Sequence, residues 1–478
     1  MDKQQENFNL KKICFGAVAV YMIAMAIFYL VAGQQLNYKT NAIVNKTVNA
    51  AAGPLCQNTV ITQTFSSGTD EIDSATFYFA TFHRKNQGRV YVKLLDVSAQ
   101  KVLTESSVDI TALNEDTKIN VFQGQKVGGI MGKDLELQFT SDSPQDKCVT
   151  LYIDNTLRDN SQLLKVNGTS VPGALTMDIE GQSAVPFTRS FLIFAFLLLA
   201  GILAYCVNLL RCEKAGRKSI GLNIIHAFYR YRFLLHQLVS RDFKTKYKRS
   251  ALGVLWSFLN PLLTMLVQYI IFSTIFKQDI ANFPSYLIIG VVFFNFFIES
   301  SSIGLTSITG NSSLISKVYI PKYIFPVSRV ISSFINMLLA FVPMFAIILF
   351  TGTPLKLAFL LLPYPILCIV IFCFGVSLFL SAAMVFFRDM QFIWNVLSML
   401  WMYATPIFYP ENIIPQQFQF IFKINPMYHF IRFSRTLILS GISPDPQAYL
   451  FCFLGAVIPL AIGALLFKKT QDRFVLYI

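Results

Sequence analysis

The chain is short of charge. Only 14% of its 478 residues are Asp, Glu, Lys or Arg, against about 25% in a soluble globular protein. Carboxylates are the scarcer sign, 26 against 40 Lys and Arg, and no acidic pair on a polar face suggests a metal-dependent glycosyltransferase. Histidine occurs four times, and neither His nor Cys falls at a metal-ligand spacing. No G-x-x-x-x-G-K-[ST] phosphate loop is encoded. These gaps argue against a soluble enzyme, a zinc module and an ATPase of that type, and no cofactor or metal is expected on the chain.

Apolar residues fill the space: 54% are hydrophobic, with 46 Phe. A membrane helix needs about 20 mostly apolar residues. Eight stretches qualify: 13–33, 187–210, 251–276, 286–309, 330–350, 356–387, 392–408 and 449–467. The first follows Lys11-Lys12 without a convincing cleavage site and reads as an uncleaved anchor. Residues 411–441 are apolar in part but carry Lys423, Arg432 and Arg435 and are broken at Asn425-Pro426, which suits a re-entrant pair of half-helices.

The positive charge is unevenly spread. Residues 34–189 hold 14 Lys/Arg and 16 Asp/Glu; the rest holds 26 and 10. The excess flanks apolar spans, so positive-inside topology accounts for it and nucleic acid is not expected. Both termini and residues 211–250 then face the cytoplasm, and residues 34–186 lie outside. Six cysteines sit in or beside spans as small hydrophobes. Cys56 and Cys148 sit in the outer segment, where they are expected to form a disulfide.

That outer segment alternates with period two, as in "RVYVKLLD" (89–96), "DLELQFT" (134–140) and "VTLYID" (149–154). It reads as an all-β sandwich of seven or eight strands, similar to the jelly-roll domains of carbohydrate-binding proteins. Tyr78, Phe82 and Tyr91 are then either sheet residues or a sugar-contacting surface. The fold class expected is a polytopic α-helical membrane protein of about eight spans with this β-sandwich inserted.

Before the third span, Ile224, Phe228, Tyr231, Leu235 and Leu238 recur at helical steps opposite a basic face. This amphipathic helix is expected to lie along the inner membrane surface. It runs into "SRDFKTKYKRSALGVLWSFLNPLL" (240–263). From here the chain resembles the membrane subunit of type-2 ABC exporters of polysaccharides, the O-antigen and teichoic-acid group. The matching pieces are that run, "FPSYLIIGVVFFNFFIESSSIG" (283–304), "GNSSLISKVYIPKYIFPVS" (310–328), "FFRD" (386–389), "ATPIFYP" (404–410) and "INPMYHFIRFSR" (424–435).

The resemblance covers about half the chain and implies a six-span permease core over 251–478, a homodimer, and two copies of a separate ABC ATPase that holds ATP and Mg. It implies that Asn311, Ser312, Lys317, Tyr319, Pro321 and Lys322 belong to a loop that couples to that ATPase. It places 211–250 at the substrate entrance, where Arg241, Lys244, Lys246, Lys248 and Arg249 are expected either to guide the phosphate of a lipid-linked glycan or to bind ordinary membrane lipid. Glu299 is the one carboxylate deep in a span, with Arg329, Arg432 and Arg435 as possible partners. Trp401, Tyr403, Phe408 and Tyr409 are expected to line a passage or to form an interfacial belt. Rival readings are an exporter of a drug or lipid and a glycan-binding scaffold that transports nothing.

Overall fold

The computed structural model describes residues 10–45, 48–81, 85–111, 113, 115–122, 125–155, 163–184, 187–217, 219–248, 250–275, 282–318, 320–354, 356–410, 417 and 419–477. It divides into two compact units, one from residues 33–196 and one from the remainder.

The first unit is a two-layer β structure. One sheet runs β1 (Tyr38–Val44), β14 (Met177–Ala184), β4 (Glu71–Ala80), β10 (Val149–Asp154) and β13 (Ala174–Leu175), with β2 (Ala50–Leu55) on β10 and β7 (Thr117–Asn120) and β8 (Val127–Gly128) on β4. The other runs β12 (Thr169–Val171), β11 (Leu163–Val166), β3 (Ile61–Ser66), β9 (Asp134–Ser141), β5 (Arg89–Asp96) and β6 (Lys101–Asp109). All pairs are antiparallel. The alternating residues face inward and meet in one core, where the Phe77 and Phe139 rings cross edge-to-face at 4.9 Å. Among the described residues there are fourteen strands against the seven or eight expected, because short pieces such as β8, β12 and β13 carry too few residues to show a period.

The second unit is helical. Among the described residues seven helices are long and apolar enough to cross a membrane: within α1 (Leu10–Asn37), α2 (Phe187–Lys214), α4 (Trp256–Ile270) with its flanking turns, α5 (Phe283–Leu305), α7 (Ile324–Phe350), α8 (Pro363–Phe386) and α12 (Pro446–Thr470). The amphipathic α3 (Ile220–Tyr247) and short α6 (Ser312–Lys317) intervene. The eighth expected span differs: α9 (Met390–Tyr403) has 14 residues, about 21 Å at 1.5 Å per residue, short of a ~30 Å hydrocarbon layer. A turn, α10 (Gln419–Ile424) and α11 (Pro426–Arg435) follow, then a π-helical turn to Gly441. The chain ends in α13 (Phe474–Tyr477).

The core sits on α5, α7 and α8. Helices α8 and α12 touch backbone to backbone: a Cβ on Gly463 would strike the Gly375 carbonyl. Small residues at a crossing permit this close approach in apolar surroundings.

Candidate functional site

Helix α3 ends at Tyr247, and Gly253 at φ +51° takes the left-handed backbone that turns the chain into α4. This reversal sets the end of α3 and the start of α4 beside α5 and α7, around a cavity of 260 Å³. Glu299 on α5 lines it. Its Oε1 accepts hydrogen bonds from Lys246 Nζ at 2.7 Å and from Asn336 Nδ2 at 2.6 Å. Tyr247 OH donates to Asn336 Oδ1 at 3.2 Å and also meets the Ser257 hydroxyl. A carboxylate in a span is costly unless paired and bonded; here α3 supplies the countercharge and α7 the amide. Trp256, Asn260 and Asn295 complete the polar and aromatic lining.

A second polar layer lies toward the start of α7. Asp242 Oδ1 takes Arg329 Nη1 at 2.7 Å and Arg241 Nη2 at 3.3 Å. Arg241 Nη2 also reaches Asn311 Oδ1 at 3.3 Å, and buried Asn311 donates to the Ser307 carbonyl at 2.8 Å. The spacing explains the layering: Asp242 and Lys246 are one turn apart on α3, Arg329 and Asn336 two turns apart on α7.

These contacts revise two expectations. The partners of Glu299 are Lys246 and Asn336, not Arg329, Arg432 or Arg435, because its face of α5 turns toward α3 and α7. Of the five basic residues expected at an entrance, Arg241 and Lys246 are engaged with carboxylates, Lys244 and Lys248 are exposed, and Arg249 lies outside the described residues. Helix α3 also departs from a purely surface-lying helix. Ile224 and Phe228 are exposed, but Leu235 and Leu238 are buried with Ile315, Phe325, Leu378 and Phe467.

The loop expected to couple carries α6, with Ser312 at its first position and Lys317 exposed at its last. Tyr319 lies outside the described residues. Pro321 is half-buried, and Lys322 turns back into the chain: its Nζ donates to the Gln471 carbonyl at 2.5 Å and stands 5.7 Å from the Phe474 ring centre. Phe474 is fully buried and meets Phe386 and Phe467 edge-on. Only the sequence pattern of α6 was legible beforehand; the tail at 471–477 that holds Lys322 left no signal, being four short apolar residues after a polar turn.

At the other end of the helices, the aromatic group expected along a passage divides. Trp401 donates from Nε1 to Asn425 Oδ1 at 2.8 Å and meets Phe297 at 5.0 Å; Phe408 is buried and stacked on Phe272 at 5.2 Å. Phe408 is buried and Trp401 partly buried, both packed against interior rings. Tyr403 is 60% exposed, and half-buried Tyr409 donates to the Tyr403 carbonyl at 2.6 Å.

Buried Arg435 was not foreseen as a clamp. It lies over the Tyr286 ring at 3.4 Å and donates to the carbonyls of Pro406 (2.7 Å), Ile407 (3.0 Å) and Tyr286 (3.0 Å). Gly290 leaves it room, since a Cβ there would come within 2.8 Å of Nη2.

In the β unit, buried Cys56 and Cys148, the pair expected to bridge, are neighbours and are not bonded in this structure. Leu55 and Val149 are registered partners, so the two cysteines follow each other across the strand pair; both point at the Gln145 carbonyl, at 3.6 and 3.3 Å. Tyr78 lies 5.0 Å from the Tyr152 ring, and Tyr91 OH donates to Asp142 at 3.3 Å; Phe82 lies outside the described residues. The Tyr152 hydroxyl donates to Asp116 at 2.6 Å, and that carboxylate pushes the phenol up to about 12.

A family model described as ABC-2 type transporter matches residues 234–439, the stretch holding the cavity, α6 and α11. The O-antigen export system permease protein RfbA of Klebsiella pneumoniae is 32% identical over 50% of this chain and 93% of its own length. That of Myxococcus xanthus is 29% identical over 53% and 98%. The polysialic acid transport protein KpsM of Escherichia coli is 23% identical over 50% and 93%. The family match together with a relative 32% identical and covered over 93% of its length places this chain in the ABC-2 type transporter family.

Proposed function

We propose that the chain is the permease subunit of an ATP-driven exporter that carries a polysaccharide across the cytoplasmic membrane. The similarity of residues 234–439 and their surroundings to O-antigen and capsule-type export permeases carries this reading. With no phosphate loop on this chain, ATP and Mg belong to a separate ABC ATPase, two copies serving two copies of the permease. The α6 region, backed by the buried cluster around Phe325 and Phe467, is the surface on which the ATPase pushes. A rigid knob fixed to α3, α7 and α8 turns ATPase closure into helix movement.

The glycan travels on a lipid phosphate carrier, of the O-antigen or teichoic-acid kind, and exposed Lys244 and Lys248 meet that headgroup or the neighbouring anionic lipids. Residues 34–186 lie on the outer side and both ends of the chain on the inner side, which requires the short α9, extended by the turn at 404–410, to make the eighth crossing. Inverted vesicles loaded with lipid-linked glycan test the reading. ATP should drive the glycan into the lumen only when this chain and its ATPase are both present. A chain that never co-purifies with an ATPase would instead be a membrane scaffold.

A further inference from the structure

Asn295 lies on α5 among buried Val291, Val292, Phe293, Phe294, Phe296 and Phe297. It lines the cavity beside Glu299, one turn away, and makes no side-chain hydrogen bond to another described residue. An amide in an apolar span is unfavourable unless something hydrogen-bonds it. The cavity gives a guest that access.

The chemistry of the lining selects the guest. Among the described residues its charges are Lys246 and Glu299, held to each other at 2.7 Å, so that lining offers a phosphate no net charge. What remains is neutral hydrogen-bonding capacity from Ser257, Asn260 and Asn295, with Trp256, 44% exposed, as an aromatic face. Amides and hydroxyls around one aromatic face suit a ring with a polar rim and a C–H face. At 260 Å³ the space falls below the roughly 300–1,000 Å³ of drug-sized pockets and takes one ring, not an oligosaccharide.

We infer that this cavity is a binding site for a single neutral sugar residue of the exported glycan, held by Asn260 and Asn295 and stacked on Trp256. The inference rests on the export reading above and adds the substrate group and its contacts. Successive residues of a polymer then meet a neutral, reversible site next to the charged pair, and the carrier phosphate is recognised elsewhere.

The full chain in lipid nanodiscs is probed with the methyl glycosides of mannose, galactose and N-acetylglucosamine by saturation-transfer NMR. At least one should show transfer to its ring protons; Asn295→Leu and Asn260→Leu should each weaken its binding about fivefold, the worth of one hydrogen bond, and Trp256→Ala should weaken it too by removing the stacking face. Inorganic pyrophosphate should not displace it. No transfer from any glycoside, transfer that survives all three substitutions, or displacement by pyrophosphate overturns the site. Trp256 is at an exposed helix start, so Trp256→Ala keeps the test alive if a leucine variant fails to fold. Surface polysaccharide separates the two ideas. If deleting the chain leaves it unchanged, the export reading falls; if deletion abolishes it while all three variants export and bind as the parent does, only the cavity site falls.

Discussion

Glu299 and Lys246 show what a single position can and cannot reveal. A lone carboxylate inside a 23-residue apolar helix marks itself in the sequence, because its burial must be compensated. Its partner does not, since Lys246 lies 53 residues away on another helix and the rotation of α3 against α5 is a tertiary property. Glu299→Ala or Lys246→Ala alone should lower stability by ~1 kcal/mol, the pair being partly exposed. The reversed pair Lys246→Glu with Glu299→Lys should recover most of it, with a coupling of about 0.5–3 kcal/mol in a double-mutant thermal-melt cycle. In the β unit, the ammonium of Lys133 at 2.9 Å from Asp96, helped by the Ala99 and Ser98 N–H groups, holds the Asp96 carboxyl below its ordinary 3.8. A depressed carboxyl contributes stability above its unfolded value and loses it as pH falls through the folded one. Protection factors of the β5 and β9 amides should therefore hold at neutral pH and fall only below about pH 4, and Lys133→Met should shrink that acid-side loss.

At the scale of elements, hydrophobic period gave the type and place of most helices and of strands such as β5 and β10, whose bounds match the alternating runs. It failed where contact partners decide. Helix α3 has one continuous apolar face, yet Phe228 is exposed and Leu238 buried, because its start packs on α1 and α2 through Leu222 and its end on α7 and α8 through Leu235 and Leu238, leaving the middle uncovered. Helix α9 reads as part of a longer apolar run, but the turn at 404–410 closes it early, secured by Asn425 and Arg435. The Asn425 amide donates to Thr405 at 2.9 Å while its carbonyl caps the Met427 N–H at 3.0 Å. Arg435→Lys keeps the charge but loses the fork that spans three carbonyls. It should loosen this end by about 1.5–3 kcal/mol, the usual worth of charged hydrogen bonds, seen as faster thiol labelling of a cysteine introduced at Thr405. On α13, Phe474→Ala should free Lys322 and reduce recovery of the ATPase in a pull-down, with α6 itself unaltered.

For the whole molecule, family likeness and the bundle coincide only in part: the family model begins at residue 234, inside α3. Helices α1 and α2, the β unit and the first half of α3 precede it. The β unit's class was legible from its alternation, its fourteen-strand pairing was not, since register between distant strands depends on which turns close first. Replacing residues 38–184 by a short Gly/Ser linker should leave an inserted chain that still recovers its ATPase, since α6 and its supporting cluster all lie in the other unit; native gel mobility and a pull-down check this. The seven registered pairs from Tyr38↔Ala184 to Val44↔Asp178 explain why so crude a cut should work. Because the outgoing and returning strands are zipped side by side, neighbouring Cα atoms stand only about 5 Å apart. The chain therefore enters and leaves the β unit on paired neighbouring strands, and a lineage could graft or shed that unit without rethreading a single helix.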